Sequence, residues 1–354
     1  MARALDTQFK RPIYLNYDAL SDRERIERAD WPTSHDYVVL DEIHSMSRWK
    51  SYLKGVVDTK PASQALLVTG SARLDTFRQT GESLAGRYHR WRLHPFSVRE
   101  FCAQTGTSAD DALDALMRFG GFPEALFEAT DAGRKRWQNQ YFTDLVREDV
   151  MEFSRIHEVR AMRKLVELLR RRTGSPLSFE SLARDLSVAP NTVRSYVDIL
   201  EALHIVFLVR PFHRNIARAQ AKAPKLYFYD WAYVHNTIAA DEQPGAQFEN
   251  LVAAHLLKHA CFMADSAGEE LALNYLRTTS GKEIDFVLTN GAGDATHFIE
   301  VKWSDTKLPF ALKQMAQTHP NAQVVQLVRQ TRHAFDRDGV AVRPAAQWLA
   351  DLAA

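Results

Sequence analysis

The sequence is poor in the features that mark secreted, membrane-inserted and strongly charged proteins. It has 2 cysteines in 354 residues, Cys102 and Cys261, and they lie too far apart for a metal-binding or redox motif. Its 45 lysines and arginines balance 44 acids, so the net charge of +1 excludes a globally basic nucleic-acid binder but allows a local basic patch. No apolar stretch is long enough for a membrane span, and the first residues lack the apolar core of a signal peptide. We therefore expect a cytoplasmic protein with no membrane partner.

The remaining composition is typical of a globular protein with several domains. The chain has 45% hydrophobic and 25% charged residues, and 354 residues suffice for roughly two or three domains. In the first hundred residues, strands predicted at 12–16, 37–40 and from 65 alternate with helices predicted at 21–28 and 49–57. This alternation predicts an α/β fold with a parallel sheet.

The stretch from Tyr37 to His44 has the pattern of a Walker B strand. Four apolar or aromatic residues are followed by Asp41 and Glu42. At the carboxyl end of a buried strand, the first acid would hold Mg²⁺ on a nucleotide's phosphates, and the second would orient the attacking water. The alternative is an ordinary strand that ends at polar residues, because a motif of this length needs supporting context.

That context is a resemblance spread over nearly the whole chain. The segments Leu40–His44, Thr69–Arg73, Glu82–Arg87 and Leu93–Ser97, together with Trp49, are similar to those of prokaryotic AAA-type P-loop ATPases with a C-terminal domain of unknown function. The resemblance implies ATP and Mg²⁺ as cofactors and a possible ring-shaped homo-oligomer.

The resemblance also assigns roles to three further side chains. Thr69 or Ser71 would sense the terminal phosphate, and Arg87 would be directed at a phosphate. A helix cap is the alternative for Ser71, and an ordinary surface arginine is the alternative for Arg87.

The sequence departs from that family at the phosphate-binding loop. It contains no G-x-x-x-x-G-K-[ST] motif, and its first residues look like the helix that follows this loop. We interpret the ATPase core as N-terminally truncated or its start codon as misassigned. Without the backbone cradle and its lysine, we expect the chain as given to bind ATP weakly or not at all.

A winged helix is predicted in the middle of the chain. The domains we expect are a truncated AAA-type core at 1–105, a helical linker at 106–175, the winged helix at 176–235 and a nuclease-like α/β domain at 236–354. The second helix of the winged helix would enter the DNA major groove. The predicted DNA-contacting residues are Arg194, Arg210, Arg214, Arg218 and Lys222. All except Arg194 lie in the predicted wing, a loop that contains no acid. The alternative is a winged helix that serves as a packing or protein-contact module.

The C-terminal domain carries acids in the order expected of a metal-dependent nuclease. Residues 281–288 and 297–302 predict a β-hairpin that places Asp285 opposite Glu300 and Lys302. Two carboxylates with a lysine can hold Mg²⁺ and activate water for phosphodiester hydrolysis. The pattern resembles the restriction-endonuclease-like signature, in which Glu249 would be a further metal ligand supplied by a helix. The alternative is a salt-bridged pair of strands.

Three functions are consistent with these patterns. The leading hypothesis is an AAA-type ATPase-family protein that acts on DNA through a Mg²⁺-dependent nuclease-like site, with Lys302 and Glu42 as catalytic groups. The alternative is a non-catalytic DNA-binding or regulatory protein with a degenerate nucleotide site. A third hypothesis is an ATPase switch whose C-terminal domain is only a scaffold.

Overall fold

The computed structural model describes residues 9–70, 84–144, 159–212, 222–235, 244–277 and 281–354. The chain divides into two compact units, Met1–Arg90 and Trp91–Ala354. The helix expected before Phe9 lies outside the described residues. Within those residues, no helix combines the length and the apolar character needed to cross a membrane.

The N-terminal unit is built on a parallel sheet, which confirms the prediction for this region. Its strands are β1 (Pro12–Asn16), β2 (Tyr37–Asp41) and β3 (Ala65–Val68), in the order β1-β2-β3. Its helices are α1 (Leu20–Glu27) and α2 (Trp49–Thr59). All of Val38, Val39 and Leu40 are inaccessible to solvent, because the central strand is covered on both faces.

The C-terminal unit begins with a run of helices. These are α3 (Val98–Thr105), α4 (Ala109–Phe119), α5 (Pro123–Glu128), α6 (Asp131–Asp144), α7 (Val159–Arg170), α8 (Phe179–Leu186) and α9 (Pro190–Ala202). Ser97 and Glu100 form a reciprocal capping box at the start of α3, and the Ser178 hydroxyl caps α8. Side chains therefore satisfy backbone amides in the first turn of these two helices.

These helices are followed by a sheet, which has eight strands in the described residues. The strands are β4 (Val206–Pro211), β5 (Lys225–Phe228), β6 (Leu271–Arg277), β7 (Glu283–Asn290), β8 (Ala295–Lys302), β9 (Gln323–Val328), β10 (Phe335–Arg337) and β11 (Val340–Pro344). Their order is β10-β11-β9-β8-β7-β6-β4-β5. The remaining helices are α10 (Ala232–His235), α11 (Pro244–Ala267), α12 (Phe310–Thr318) and α13 (Ala345–Ala350).

Helices cover both faces of this sheet. On one face, Phe248 and Leu251 of α11 belong to the same hydrophobic cluster as Phe286 and Ile299. On the other face, Leu312 of α12 shares a second cluster with Phe298 and Val324. The hairpin predicted between β7 and β8 is confirmed, with Phe286 paired to Ile299.

The β4–β5 hairpin belongs to the same sheet as the C-terminal strands. β4 pairs antiparallel with β5 along one edge, and Arg210 and Pro211 pair in parallel with Asn274 and Tyr275 of β6. The boundary predicted between residues 235 and 236 therefore falls within one continuous sheet. The physical cause is that β4 continues past its hairpin partner far enough to hydrogen-bond with β6.

Candidate active sites

The N-terminal sheet gathers three polar side chains at the carboxyl end of β2. The Asp41 carboxylate accepts hydrogen bonds from the hydroxyls of Tyr14, on β1, and Thr69, directly after β3. It also accepts one from the Glu42 amide at 3.2 Å. Burial raises the pKa of Asp41, but the hydrogen bonds from Thr69 and Tyr14 outweigh it, so this pKa is below its usual value. Sequence reasoning placed Thr69 beside Asp41 but missed Tyr14.

The Glu42 carboxylate contacts a different residue from those that contact Asp41. Its backbone has a φ of 55°, in the left-handed region that is unusual for a residue with a side chain. Its carboxylate lies 3.1 Å from His44 Nδ1. The two neighbouring acids therefore have different partners, because the chain turns sharply between them.

Of the other predicted nucleotide-binding residues, the structure describes Arg87, which contacts a different acid. Arg87 donates to the Asp58 carboxylate, at the end of α2, over 2.8 Å. Ser71 lies outside the described residues. The role of Arg87 as a phosphate-directed residue stays a prediction.

The C-terminal sheet brings Asp285, Glu300 and Lys302 together, as the hairpin predicted. Asp285 precedes Phe286 on β7 and Glu300 follows Ile299 on β8, so both acids lie next to the same pair of hydrogen-bonded residues. The Val301 amide donates to Asp285 Oδ2 over 2.9 Å and fixes that carboxylate. Lys302 Nζ donates to Glu300 Oε1 over 2.6 Å.

The Glu300 carboxylate is buried and only half paired. The residue is 5% exposed, and its Oε2 has no hydrogen-bond partner among the described residues. A buried carboxylate oxygen without a partner is costly. It is also what a divalent cation or an ordered water at this position would satisfy, so the residues present fit Mg²⁺ on this criterion.

A second lysine, Lys225 on β5, enters the same acidic cluster. Its side chain is 1% exposed, and Nζ lies 2.5 Å from Glu283, 3.4 Å from Glu249 and 3.9 Å from Asp285. Tyr227 donates to Glu249 over 2.7 Å. Lys225 comes at the end of the predicted basic wing, and nothing in the sequence distinguishes it from the other cations there.

Glu283 was also missed, although the sequence carried a signal for it. It lies two residues before Asp285 on β7, and residues i and i+2 of a strand share a face. The complete cluster has six ionisable side chains: Glu249, Glu283, Asp285, Glu300, Lys225 and Lys302. When all six are ionised, the four carboxylates exceed the two ammonium groups by two negative charges.

Burial is the main cause of the raised pKa values of the acids in this cluster. Burial, followed by the charge of Asp285, raises the pKa of Glu249 to about 7 and the pKa of Glu300 to about 7. Burial likewise raises the pKa of Asp285. Burial lowers the pKa of Lys225, but the charges of Glu249 and Asp285 outweigh it and raise that pKa. The cluster therefore retains its protons more tightly than free carboxylates do.

The three predicted ligands do not form a metal-binding triad by themselves. Across the part of the chain that the structure describes, no three His, Cys, Asp or Glu side chains are arranged to hold a metal ion. Glu249 is instead engaged by Lys225 and Tyr227. The assignments of Glu249, Asp285 and Glu300 as metal ligands stay predictions.

The predicted DNA-contacting residues are only partly described. The Arg194 side chain is 52% exposed, with its guanidinium 4.2 Å above the Phe179 ring and 3.8 Å from Glu180. Arg210 and Lys222 are exposed. Arg214 and Arg218 lie outside the described residues. DNA contact at these positions stays a prediction.

Three family models match the chain in succession. Residues 1–102 match an AAA domain, which indicates an ATPase-type N-terminal region. Residues 110–243 match a domain of unknown function (DUF8612), and residues 244–348 match another, DUF4143. The match therefore supports the AAA-type region and a separate C-terminal family.

Similar proteins occur in bacteria and archaea, and each carries the name uncharacterized protein. One from Mycobacterium tuberculosis is 28% identical over 256 residues, which cover 70% of this chain and 55% of the relative. One from Methanocaldococcus jannaschii is 21% identical over 267 residues, covering 70% of this chain and 57% of the relative. One from Haemophilus influenzae is 19% identical over 361 residues, covering 95% of this chain and 86% of the relative. The chain thus spans about half the length of the mycobacterial relative.

Proposed function

We propose that this protein is a divalent-metal-dependent phosphodiester hydrolase that acts on DNA and carries an ATPase-type N-terminal region. The observation that carries the proposal is the Glu300 carboxylate, which is buried beside Asp285 with one oxygen unpaired. When fully ionised, the cluster has two excess negative charges, which match the charge of one Mg²⁺ or Mn²⁺ ion.

Asp285 and Glu300 would hold the metal ion. Asp285 Oδ2 accepts from the Val301 amide, so Oδ1, which lies 3.9 Å from Lys225 Nζ, would be its metal-binding atom. When bound, Mg²⁺ supplies positive charge that stabilises the negative charge developing on the phosphate and favours ionisation of water.

Lys302 is the group suited to handle the attacking water. Its side chain is 33% exposed, so Nζ reaches solvent while it contacts Glu300. It would orient the water that attacks phosphorus. The new bond joins the water oxygen to phosphorus, and the P–O bond to the leaving sugar oxygen breaks. The water gives its proton to solvent, and the leaving oxygen takes a proton from solvent to become a hydroxyl, while the Lys302 ammonium group stays protonated and positions the water.

The proposal extends to the other two segments. Arg194, Arg210 and Lys222 would contact the phosphate backbone of duplex DNA, with α9 as the recognition helix of a winged helix. Asp41 would hold Mg²⁺ on ATP, Thr69 would report on the terminal phosphate, and Glu42 would orient water. The exposure of the three cations and the match to an AAA domain support these roles.

The test is cleavage of supercoiled plasmid DNA with Mg²⁺ or Mn²⁺. We expect wild type to nick the plasmid and both Asp285→Asn and Lys302→Ala to lose at least about tenfold in rate, because each removes a group that acts on the reacting atoms. Asp294→Asn, in the exposed turn of the same hairpin, and Lys307→Ala, an exposed lysine nearby, are matched controls that should cleave like wild type. Equal rates for all five proteins would exclude the catalytic assignment.

One observation favours a second candidate, a non-catalytic DNA-binding or regulatory protein. Lys225 already neutralises part of the acidic cluster, as in a purely structural ion-pair network. On this alternative, wild type and all four variants bind DNA but none of them cleaves it. Divalent ions then leave the thermal stability of the protein unchanged. The two candidates therefore differ in whether Mn²⁺ raises the unfolding temperature.

A further inference from the structure

A buried glutamine extends the row of polar side chains formed by Asp285 and Glu300. Gln326 on β9 is the parallel partner of Glu300 on β8. Two residues earlier on the same strands, the paired Phe298 and Val324 both belong to the cluster with Leu312 of α12. Because side chains alternate along a strand, Glu300 and Gln326 lie on that same face. Asp285, Glu300 and Gln326 therefore occupy neighbouring positions on β7, β8 and β9.

The orientation of the Gln326 amide is determined by its surroundings. Its Nε2 donates to the Asp305 carbonyl oxygen over 3.0 Å, and a carbonyl accepts only from the nitrogen end of an amide. The residue is 0% exposed, and its Oε1 has no partner in any described segment. Two unpaired, buried acceptors, Glu300 Oε2 and Gln326 Oε1, are thus contributed by directly paired residues.

Two buried acceptors that lack a donor, contributed by directly paired residues, would be satisfied by a bound cation or by a water that donates to them. A glutamine carbonyl is a ligand that Mg²⁺ and Ca²⁺ accept alongside carboxylates. Such a mixed set, two acids and one amide, satisfies hard cations with fewer negative charges than three acids would supply. It also accounts for a metal site that lacks a third acid in position.

We propose that Gln326 Oε1 is a metal-binding oxygen that completes the site of Asp285 and Glu300. This inference rests on the proposed metal-dependent function and adds a ligand on β9 to it. The alternative role for Gln326 is structural, in which Nε2 holds the Asp305 backbone and Oε1 contributes nothing.

Two substitutions separate the oxygen from the nitrogen of this amide. Gln326→Glu keeps an acceptor in place but cannot donate to Asp305, whereas Gln326→Met removes both functions at similar volume. Gln347→Met, on an exposed face of α13, is the matched control. Mn²⁺ binding to the full chain is measured by calorimetry near pH 8, and thermal unfolding with and without Mn²⁺ reports whether each variant is folded.

We expect Gln326→Met to weaken Mn²⁺ binding by about tenfold or more and Gln326→Glu to bind at least as tightly as wild type. Asp285→Asn should abolish binding, and Gln347→Met should match wild type. If Gln326→Met does not fold, the comparison of Gln326→Glu with wild type still decides the question.

Three outcomes would overturn the inference. If Asp285→Asn loses Mn²⁺ but Gln326→Met binds like wild type, the metal site stands and Gln326 is not part of it. If Gln326→Glu is as weak as Gln326→Met, the hydrogen bond to Asp305 is what matters. If wild type itself binds no Mn²⁺, the proposed function fails and this inference fails with it.

Discussion

Lys225 Nζ lies 2.5 Å from the Glu283 carboxylate, although only 1% of the lysine side chain is exposed. The two residues belong to β5 and β7, strands that are separated by β4 and β6 in the sheet. The Glu283 side chain is 30% exposed, so only the lysine end of this ion pair lacks water as a substitute partner and depends on the carboxylates around it.

Replacing Lys225 should therefore destabilise the metal-free protein. We expect Lys225→Met to reduce the free energy of unfolding by about 3–5 kcal/mol, since it leaves buried carboxylates without a counter-charge. Urea unfolding measures the change, and Lys222→Met, an exposed lysine three residues earlier, is the control. Mn²⁺ should restore part of the loss in Lys225→Met, because it supplies the missing positive charge. A loss no larger than that of the control would show that the ion pair contributes nothing.

The raised pKa values of Glu249 and Glu300 predict a pH-dependent stability. Both folded-state pKa values are about 7, above the value of about 4.3 for an unfolded glutamate. Between these two values the folded state binds more protons than the unfolded state. The contribution of these two groups to the stability of the metal-free protein should therefore be complete below about pH 4.3 and be lost as the pH rises through 7. Thermal unfolding across this pH range measures the effect, with Glu300→Gln expected to flatten the decline. A profile unchanged by that substitution would contradict the assignment.

Metal binding should show the opposite pH dependence. A divalent ion must displace the protons held by Glu300 and its neighbours, so the increase in unfolding temperature caused by Mn²⁺ should be larger near pH 8 than near pH 6. Glu300→Gln should remove most of this increase at both pH values. Differential scanning fluorimetry with Mn²⁺ and with an EDTA control measures it. An increase independent of pH would place the ion elsewhere.

The hydroxyls of Tyr14 and Thr69 should control the acidity of Asp41. Tyr14→Phe and Thr69→Val each remove a donor to the ionised carboxylate, so each should raise the pKa of Asp41 toward its usual value. A depressed pKa adds stability that is present above the unfolded value and is lost as pH falls through the folded value. Each variant should therefore lose about 1–2 kcal/mol at neutral pH. Carbon-13 NMR of the Asp41 carboxyl measures the pKa, and Tyr88→Phe, at an exposed tyrosine, should leave it unchanged.

Arg194 should contribute to DNA affinity through the phosphates. We expect Arg194→Ala to weaken duplex binding about three- to tenfold and to reduce the slope of log K against log salt by about 1. Arg332→Ala, an exposed arginine between β9 and β10, is the control. Fluorescence anisotropy at several salt concentrations measures both quantities. If the two variants bind alike, α9 does not face DNA.

The strands and helices were predictable because their signals are local. The apolar run Val38–Leu40 predicted the buried strand. The two-residue period of a hairpin predicted that Asp285 and Glu300 lie close together. Each of these inferences needs only residues that are close in sequence or joined by one turn.

The residues that were missed depend on strand order and register. Tyr14 reaches Asp41 only because β1 lies beside β2, and Gln326 faces Glu300 only through the parallel pairing of β8 with β9. Lys225 resembles the exposed cations that precede it in the sequence, but β5 starts at this residue and carries it into the acidic cluster. No periodicity in a single sequence gives these long-range neighbours.

The continuous sheet has a consequence for how this protein can be divided. The family models change at residues 243 and 244, whereas hydrogen bonds between β4 and β6 and the Lys225 ion pairs cross that point. A fragment that begins at residue 244 would expose the edge of β6 and lose its internal counter-ion. The boundary between the two family models therefore does not coincide with a boundary of the folded sheet, and a fragment made by cutting there would keep the four acids but lose Lys225.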